Sequence, residues 1–126
     1  MPRRATEDHS REDQILFEIV VDAYNETERA MSWYYYLQEK LQFPFAGKCR
    51  SIRSTSPLKK GQKLEVLSMA QEDDCMSEIM VTVKAGRSRI VVPLEQVECE
   101  SIDQDTCQGV ADWHYWRARG YEYRNS

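Results

Sequence analysis

The spacing of apolar positions changes twice along this chain, and the changes mark out its elements. Ile15, Leu16, Ile19 and Val20 recur at helical spacing. Ser10, with Asp13 three residues on, makes a capping-box-like start, so the pattern predicts a first helix over about 11–21. The stretch from Asp22 to Asn25 breaks it. Asn25, with Glu28 three residues later, caps a second helix over about 26–42. Ala30, Trp33, Leu37 and Leu41 mark one face of that helix, and Met31, Tyr34 and Tyr35 widen it. Tyr36 completes a triplet that sweeps about 200° around a helix at about 100° per residue. At least one of the three tyrosines must therefore leave the buried face. Pro44 stops the helical pattern.

The period then shortens to that of strands. Phe45 to Ile52 is the first, and Pro57 and Gly61 mark the loop after it. Leu64, Val66, Leu67 and Met69 place a second strand over Lys63 to Ala70. Gln71 to Glu78 is an acidic connection. Ile79, Val81 and Val83 alternate with Met80, Thr82 and Lys84 in a half-buried third strand. Gly86, Arg87 and Ser88 turn the chain into a hairpin with a fourth strand, Ile90 to Val92, closed by Pro93. Leu94 to Val97 adds a short fifth piece. Helical spacing returns over about 104–118, where Asp103 or Asp105 is the cap. Val110, Trp113 and Trp116 or Arg117 form its inner face, Gly109 weakens its first turns, and Gly120 follows its end.

The order predicts an α+β fold. Two N-terminal helices precede a small four- to five-stranded antiparallel sheet or SH3-like barrel, and a C-terminal helix follows. With 126 residues the chain fits one domain. Its parts are a mobile arm over 1–9, helical residues 10–42, a β region over 45–99 and a helix over 103–119. Residues 46–112 contain no Phe, Trp or Tyr. The two ends must bring the aromatic bulk of the core to a middle that supplies aliphatics.

Charge sharpens the picture. The net charge of −4 argues against a nucleic-acid partner. No apolar run approaches membrane-spanning length. The first residues lack the apolar core of a secretory signal, so the expected home is the cytoplasm. Residues 47–63 carry Lys48, Arg50, Arg53, Lys59, Lys60 and Lys63 with no acid. Residues 65–78 carry Glu65, Glu72, Asp73, Asp74 and Glu78 with no base. The four cysteines, Cys49, Cys75, Cys99 and Cys107, form no C-x-x-C pair, so a zinc ribbon is excluded. A structural disulfide is one reading of them; in a cytoplasmic protein the favoured reading is that they are reduced and mostly buried.

No Gly-rich phosphate loop, G-x-S-x-G elbow or EF-hand loop is present. Asp112 and His114 are two apart on a helix and do not face each other, so no catalytic dyad is expected. The expectation is a non-enzymatic protein. The sharpest chemical signal is Glu72-Asp73-Asp74, with Glu78 close by. Calcium takes six to eight oxygen ligands, mostly carboxylates and carbonyls, and an acidic loop offers both. A solvated turn tolerates the same residues without a ligand. Asp103-Gln104-Asp105 is a second acidic cluster that helix capping explains equally well. Glu39 sits near the end of the second helix, where a carboxylate opposes the helix dipole and a bound cation would relieve it. The competing reading is an interaction module without metal, binding a protein or nucleic acid through its basic block or exposed tyrosines.

The chain resembles the CcbP-type family of bacterial calcium-binding proteins, known chiefly from cyanobacteria. The resemblance rests on DAYNETERAMSWYYYLQEKLQFPF, SPLKKGQKLEVLSMAQEDDC, VPLEQV and DWHYWRARGY, in that order, over residues 12–121. It implies an α+β domain that binds calcium outside any EF-hand, for buffering or signalling, tied in cyanobacteria to cell differentiation. It implies that Glu72, Asp73 and Asp74 match the family's acidic segment and that Glu39 falls in its tyrosine-plus-acid segment.

Overall fold

A computed structural model describes residues 9–20, 25–54, 56–75 and 78–119. Of the features named above, residues 1–8 of the arm, residues 22–24 of the break and Gly120 lie outside the described residues. The architecture is α+β: one five-stranded antiparallel sheet, with one 15-residue helix on its N-terminal side in sequence and another on its C-terminal side. The first of these, α2, spans Glu26–Lys40, and the second, α3, spans Gln104–Ala118. The helix expected over 11–21 is not a third full helix. It is a short α-helix, α1 (His9–Gln14), that runs into a single π-helical turn over Ile15–Ile19. Ser10 lies within α1 and so does not cap it. No helix among the described residues is long and apolar enough to cross a membrane.

The strands are β1 (Phe45–Cys49), β2 (Lys63–Met69), β3 (Met80–Ala85), β4 (Ser88–Pro93) and β5 (Val97–Cys99). They pair in the order β4-β3-β2-β1-β5. β1 ends three residues earlier than the alternation predicts. After Cys49 the chain turns away, the Arg50 N–H donates to the Gln96 carbonyl, and Ile52 projects into solvent. The fifth strand also comes later than predicted. Leu94–Gln96 form a 3-10 turn, and the Gln96 side chain, fully buried, donates to the Ser51 carbonyl. β5 begins only at Val97.

Periodicity placed the inner face of α2 correctly. Ala30, Trp33, Leu37 and Leu41 are all buried, and Asn25 caps the helix by accepting from the Glu28 N–H at 2.8 Å. Trp33 meets Trp113 and Trp116 of α3 with ring centroids 5.1 and 5.5 Å apart. The aromatic bulk of the two chain ends thus meets across the aliphatic face of the sheet. Gly109 has a packing role. A Cβ there would lie 3.0 Å from Leu41 Cδ2 and 3.1 Å from Lys40 Cγ, so its lack of a side chain lets α3 approach α2.

Asp103 caps α3, accepting from the Thr106 N–H and hydroxyl at 2.8 and 2.6 Å. The Thr106 oxygen in turn accepts from the Gln42 N–H at 2.9 Å, which ties the start of α3 to the end of α2. Thr106→Val leaves that N–H without its acceptor. It is expected to destabilise the fold by about 1–2 kcal/mol, read as a lower denaturation midpoint.

One expectation fails at the cysteines. Cys99 and Cys107 are disulfide-bonded, with Cα atoms 5.4 Å apart, and join β5 to the first turns of α3. Their eight-residue separation held no pairing signal, because the turn that brings them together is set by the Asp103 cap. Cys49 and Cys75 are buried and stand outside this disulfide, as expected.

Candidate metal centre

The acidic turn grows out of the end of β2. Glu72–Cys75 form a 3-10 turn in which the three carboxylates point to solvent and Cys75 points into the core. The Asp74 N–H donates to the Gln71 carbonyl at 2.9 Å and closes the turn. Burial pushes the Cys75 thiol up, and the nearby Asp74 and Glu72 charges add to that, so it stays protonated under the turn.

Two tyrosines of α2 hold this turn from the side. The Tyr34 hydroxyl donates to the Ala70 carbonyl at 2.9 Å, just before the turn. The Tyr35 hydroxyl donates to Glu72 Oε1 at 2.6 Å. Tyr35 is half exposed and is the tyrosine that leaves the buried face. The accepting carboxylate holds its phenol proton, so its pKa is raised, and the Glu72 charge adds to the effect. Glu39 lies four residues beyond Tyr35, one turn along the same face of α2, and is exposed. Among the described residues no hydrogen bond joins Glu39 to the acidic turn.

On the other side the turn is followed by an anchored segment. Glu78 pairs with Arg53 at 2.9 Å, and Arg53 also pairs with Glu95, which Arg117 holds at 3.2 Å. Burial pushes the Glu95 carboxyl up, but the two guanidiniums outweigh it and keep it below the usual carboxylate range. Lys48 pairs with Glu98, Lys40 with Asp105 and Arg11 with Asp112. Lys48 and Arg53, from the basic block, are therefore spent on acids of the second half of the chain. Among the described residues, none of these ion pairs involves Glu39, Glu72, Asp73 or Asp74.

Asp112 and His114 face different partners, in keeping with their helical spacing. Asp112 is fully buried and accepts from the Tyr36 hydroxyl at 2.8 Å. Arg11 forms an ion pair with Asp112 Oδ1 at 3.1 Å, and that oxygen has no hydrogen-bond partner among the described residues. Burial pushes this carboxyl up, and Tyr36 and Arg11 only partly offset it. His114 Nε2 lies 3.1 Å from the Leu94 carbonyl. Arg50, Ser51, Glu95, Glu98 and His114 line an open cleft of about 630 Å³.

Among the described residues, no three His, Cys, Asp or Glu side chains converge closely enough to cage a metal ion. The acidic turn nevertheless fits a hard cation by the chemistry of its donors: three consecutive exposed carboxylates, without a cationic partner among the described residues. It is an open donor set rather than a closed cage. The sequence pattern proposed these three residues as ligands but did not assign Tyr35 or Arg53 to holding the segment, where the structure places them. The signal for Tyr35 was the angular sweep of the tyrosine triplet. For Arg53 there was none beyond its place in a basic block.

A five-stranded sheet flanked by two helices, with three consecutive exposed carboxylates in one turn and no EF-hand loop in the sequence, defines an α+β protein of the acidic, non-EF-hand kind. The chain belongs to the CcbP calcium-binding family, whose sequence model, described as calcium binding, matches residues 13–117. Among solved structures it is similar to CcbP of Anabaena, at 40% identity and a TM-score of 0.83, covering 94% of this chain and 98% of that one. It is also similar to a calcium-binding protein in its calcium-binding form, at 40% identity and a TM-score of 0.82, covering 91% of this chain and 94% of that one. A comparison with curated proteins found no match.

Proposed function

We propose that this protein binds calcium through the turn that carries Glu72, Asp73 and Asp74, as a non-enzymatic buffer or signalling protein of the cytoplasm. The observation that carries the assignment is the contrast in pairing. Asp105, Asp112, Glu78, Glu95 and Glu98 each have a basic partner. Glu65, Glu100 and Asp103 form no ion pair among the described residues, but each stands apart from other acids that lack one, whereas Glu72, Asp73 and Asp74 are consecutive, exposed and, among the described residues, all without a basic partner. Three adjacent unpaired carboxylates repel one another, and a divalent cation removes that repulsion. Backbone carbonyls and water supply the rest of calcium's coordination. Glu39, one turn past Tyr35, is the next carboxylate along the helix and contributes charge from α2. We also read the strand order, with a 3-10 turn joining the two outermost strands, as SH3-like.

The test is calorimetry on metal-stripped protein, with wild type compared with a Glu72→Gln, Asp73→Asn, Asp74→Asn variant. Wild type is expected to release heat with calcium and to gain about 2.7 kcal/mol of stability at a hundredfold excess over Kd. The variant is expected to lose both. Absence of any calcium response in wild type overturns the function, and an unchanged response in the variant overturns the site.

A further inference from the structure

We infer that Tyr35 is a positioning residue for the calcium-binding turn, holding the Glu72 carboxylate in place through its phenol hydroxyl. The inference rests on the calcium reading above and adds a residue to it from another element of the fold. Tyr35 and Glu72 are 37 positions apart, yet their 2.6 Å bond joins α2 to the first residue of the acidic turn. The neighbouring Tyr34 bonds the Ala70 carbonyl and packs edge-on against Tyr35, with ring centroids 5.6 Å apart. The Tyr35 ring is thus backed by a buried ring that is itself fixed to the chain entering the turn. Its hydroxyl occupies one oxygen of Glu72 and leaves the other to face solvent with Asp73 and Asp74. A glutamate side chain has three rotatable torsions, and fixing them before a cation arrives lowers the ordering cost of binding. Tyr35 contributes no net charge, so it orients the carboxylate without competing for the ion as a lysine or arginine would. The phenol oxygen carries lone pairs but remains the donor to Glu72.

The experiment is a double-mutant cycle in calcium affinity with Tyr35→Phe and Glu72→Gln, measured on the full chain. Phenylalanine keeps the ring and its packing on Tyr34 and removes only the hydroxyl. Tyr35→Phe is expected to weaken calcium binding about threefold to tenfold, the range of an ordinary net hydrogen bond, since this one is exposed to solvent. Its calcium-free melting temperature is expected to match wild type, because the bond is exposed. In the Glu72→Gln background the same substitution is expected to change affinity by less than about twofold. Equal loss in both backgrounds, or unchanged or tighter calcium binding in Tyr35→Phe, overturns the positioning role. If wild type binds no calcium, the functional reading itself fails. If wild type binds and only the Tyr35 arm is silent, the inference alone fails.

Discussion

Trp33→Ala is expected to remove about 3–5 kcal/mol of stability, the range for deleting a buried tryptophan. Trp33 is fully buried and contacts Trp113, Trp116 and Tyr36, with ring centroids 5.1, 5.5 and 6.0 Å away. Its indole N–H has no hydrogen-bond partner among the described residues, so packing alone accounts for its contribution. Alanine leaves a cavity between α2 and α3 at the point where the two helices share their aromatic rings. Folded domains are typically stable by only about 5–15 kcal/mol, so such a loss takes a large share. Denaturant titration followed by the fluorescence of the remaining tryptophans measures it. Trp33→Phe keeps most of the volume and discards the unpartnered N–H, and is expected to lose clearly less than alanine. An alanine variant within 1 kcal/mol of wild type, taken as about the error of a surface substitution, contradicts the packing.

Acidification is expected to cost the fold up to about 3 kcal/mol through His114 alone. Burial lowers its pKa from 6.5 to about 4, and the nearby Arg50 charge pushes the same way, while the Leu94 carbonyl and Glu95 oppose them. The folded state therefore holds this imidazole neutral at pH values where the unfolded chain protonates it. The stabilisation is complete above pH 6.5 and is lost as the pH falls towards 4. Denaturation midpoints across that window are expected to decline in wild type and to flatten in His114→Gln. A wild-type midpoint that is level over the window contradicts the buried neutral imidazole.

What the amino-acid pattern revealed follows from distance along the chain. The face of α2, the Asn25 cap and the β3–β4 hairpin depend on neighbours within one or two turns, and each was legible. The acidic turn was legible for the same reason, since Glu72, Asp73 and Asp74 are consecutive. The bond from Tyr35 to Glu72, the Arg53 bridge from Glu78 to Glu95 and the Cys99–Cys107 disulfide depend on how separate elements dock. Periodicity carries no information about that docking. It showed that one tyrosine must turn outward, and the structure identified which one and what it touches. Gln96 illustrates the converse. A polar residue beside Val97 reads as solvent-facing, yet its amide is buried against the Ser51 carbonyl, and the last strand begins only after it.

The strand order has a further consequence for how copies of this chain meet one another. A sheet's outermost strands expose backbone groups that invite another chain to pair and aggregate. Here β4, at one border, carries the exposed Ser88 and Arg89 and ends at Pro93, which has no N–H to offer. At the other border, β5 is only three residues long, and its last residue is covalently tied to α3. The β5 border is too short to template another chain, and on β4 the exposed Val91 is flanked by Arg89 and Pro93, which interrupt an apolar edge and work against stacking into fibres.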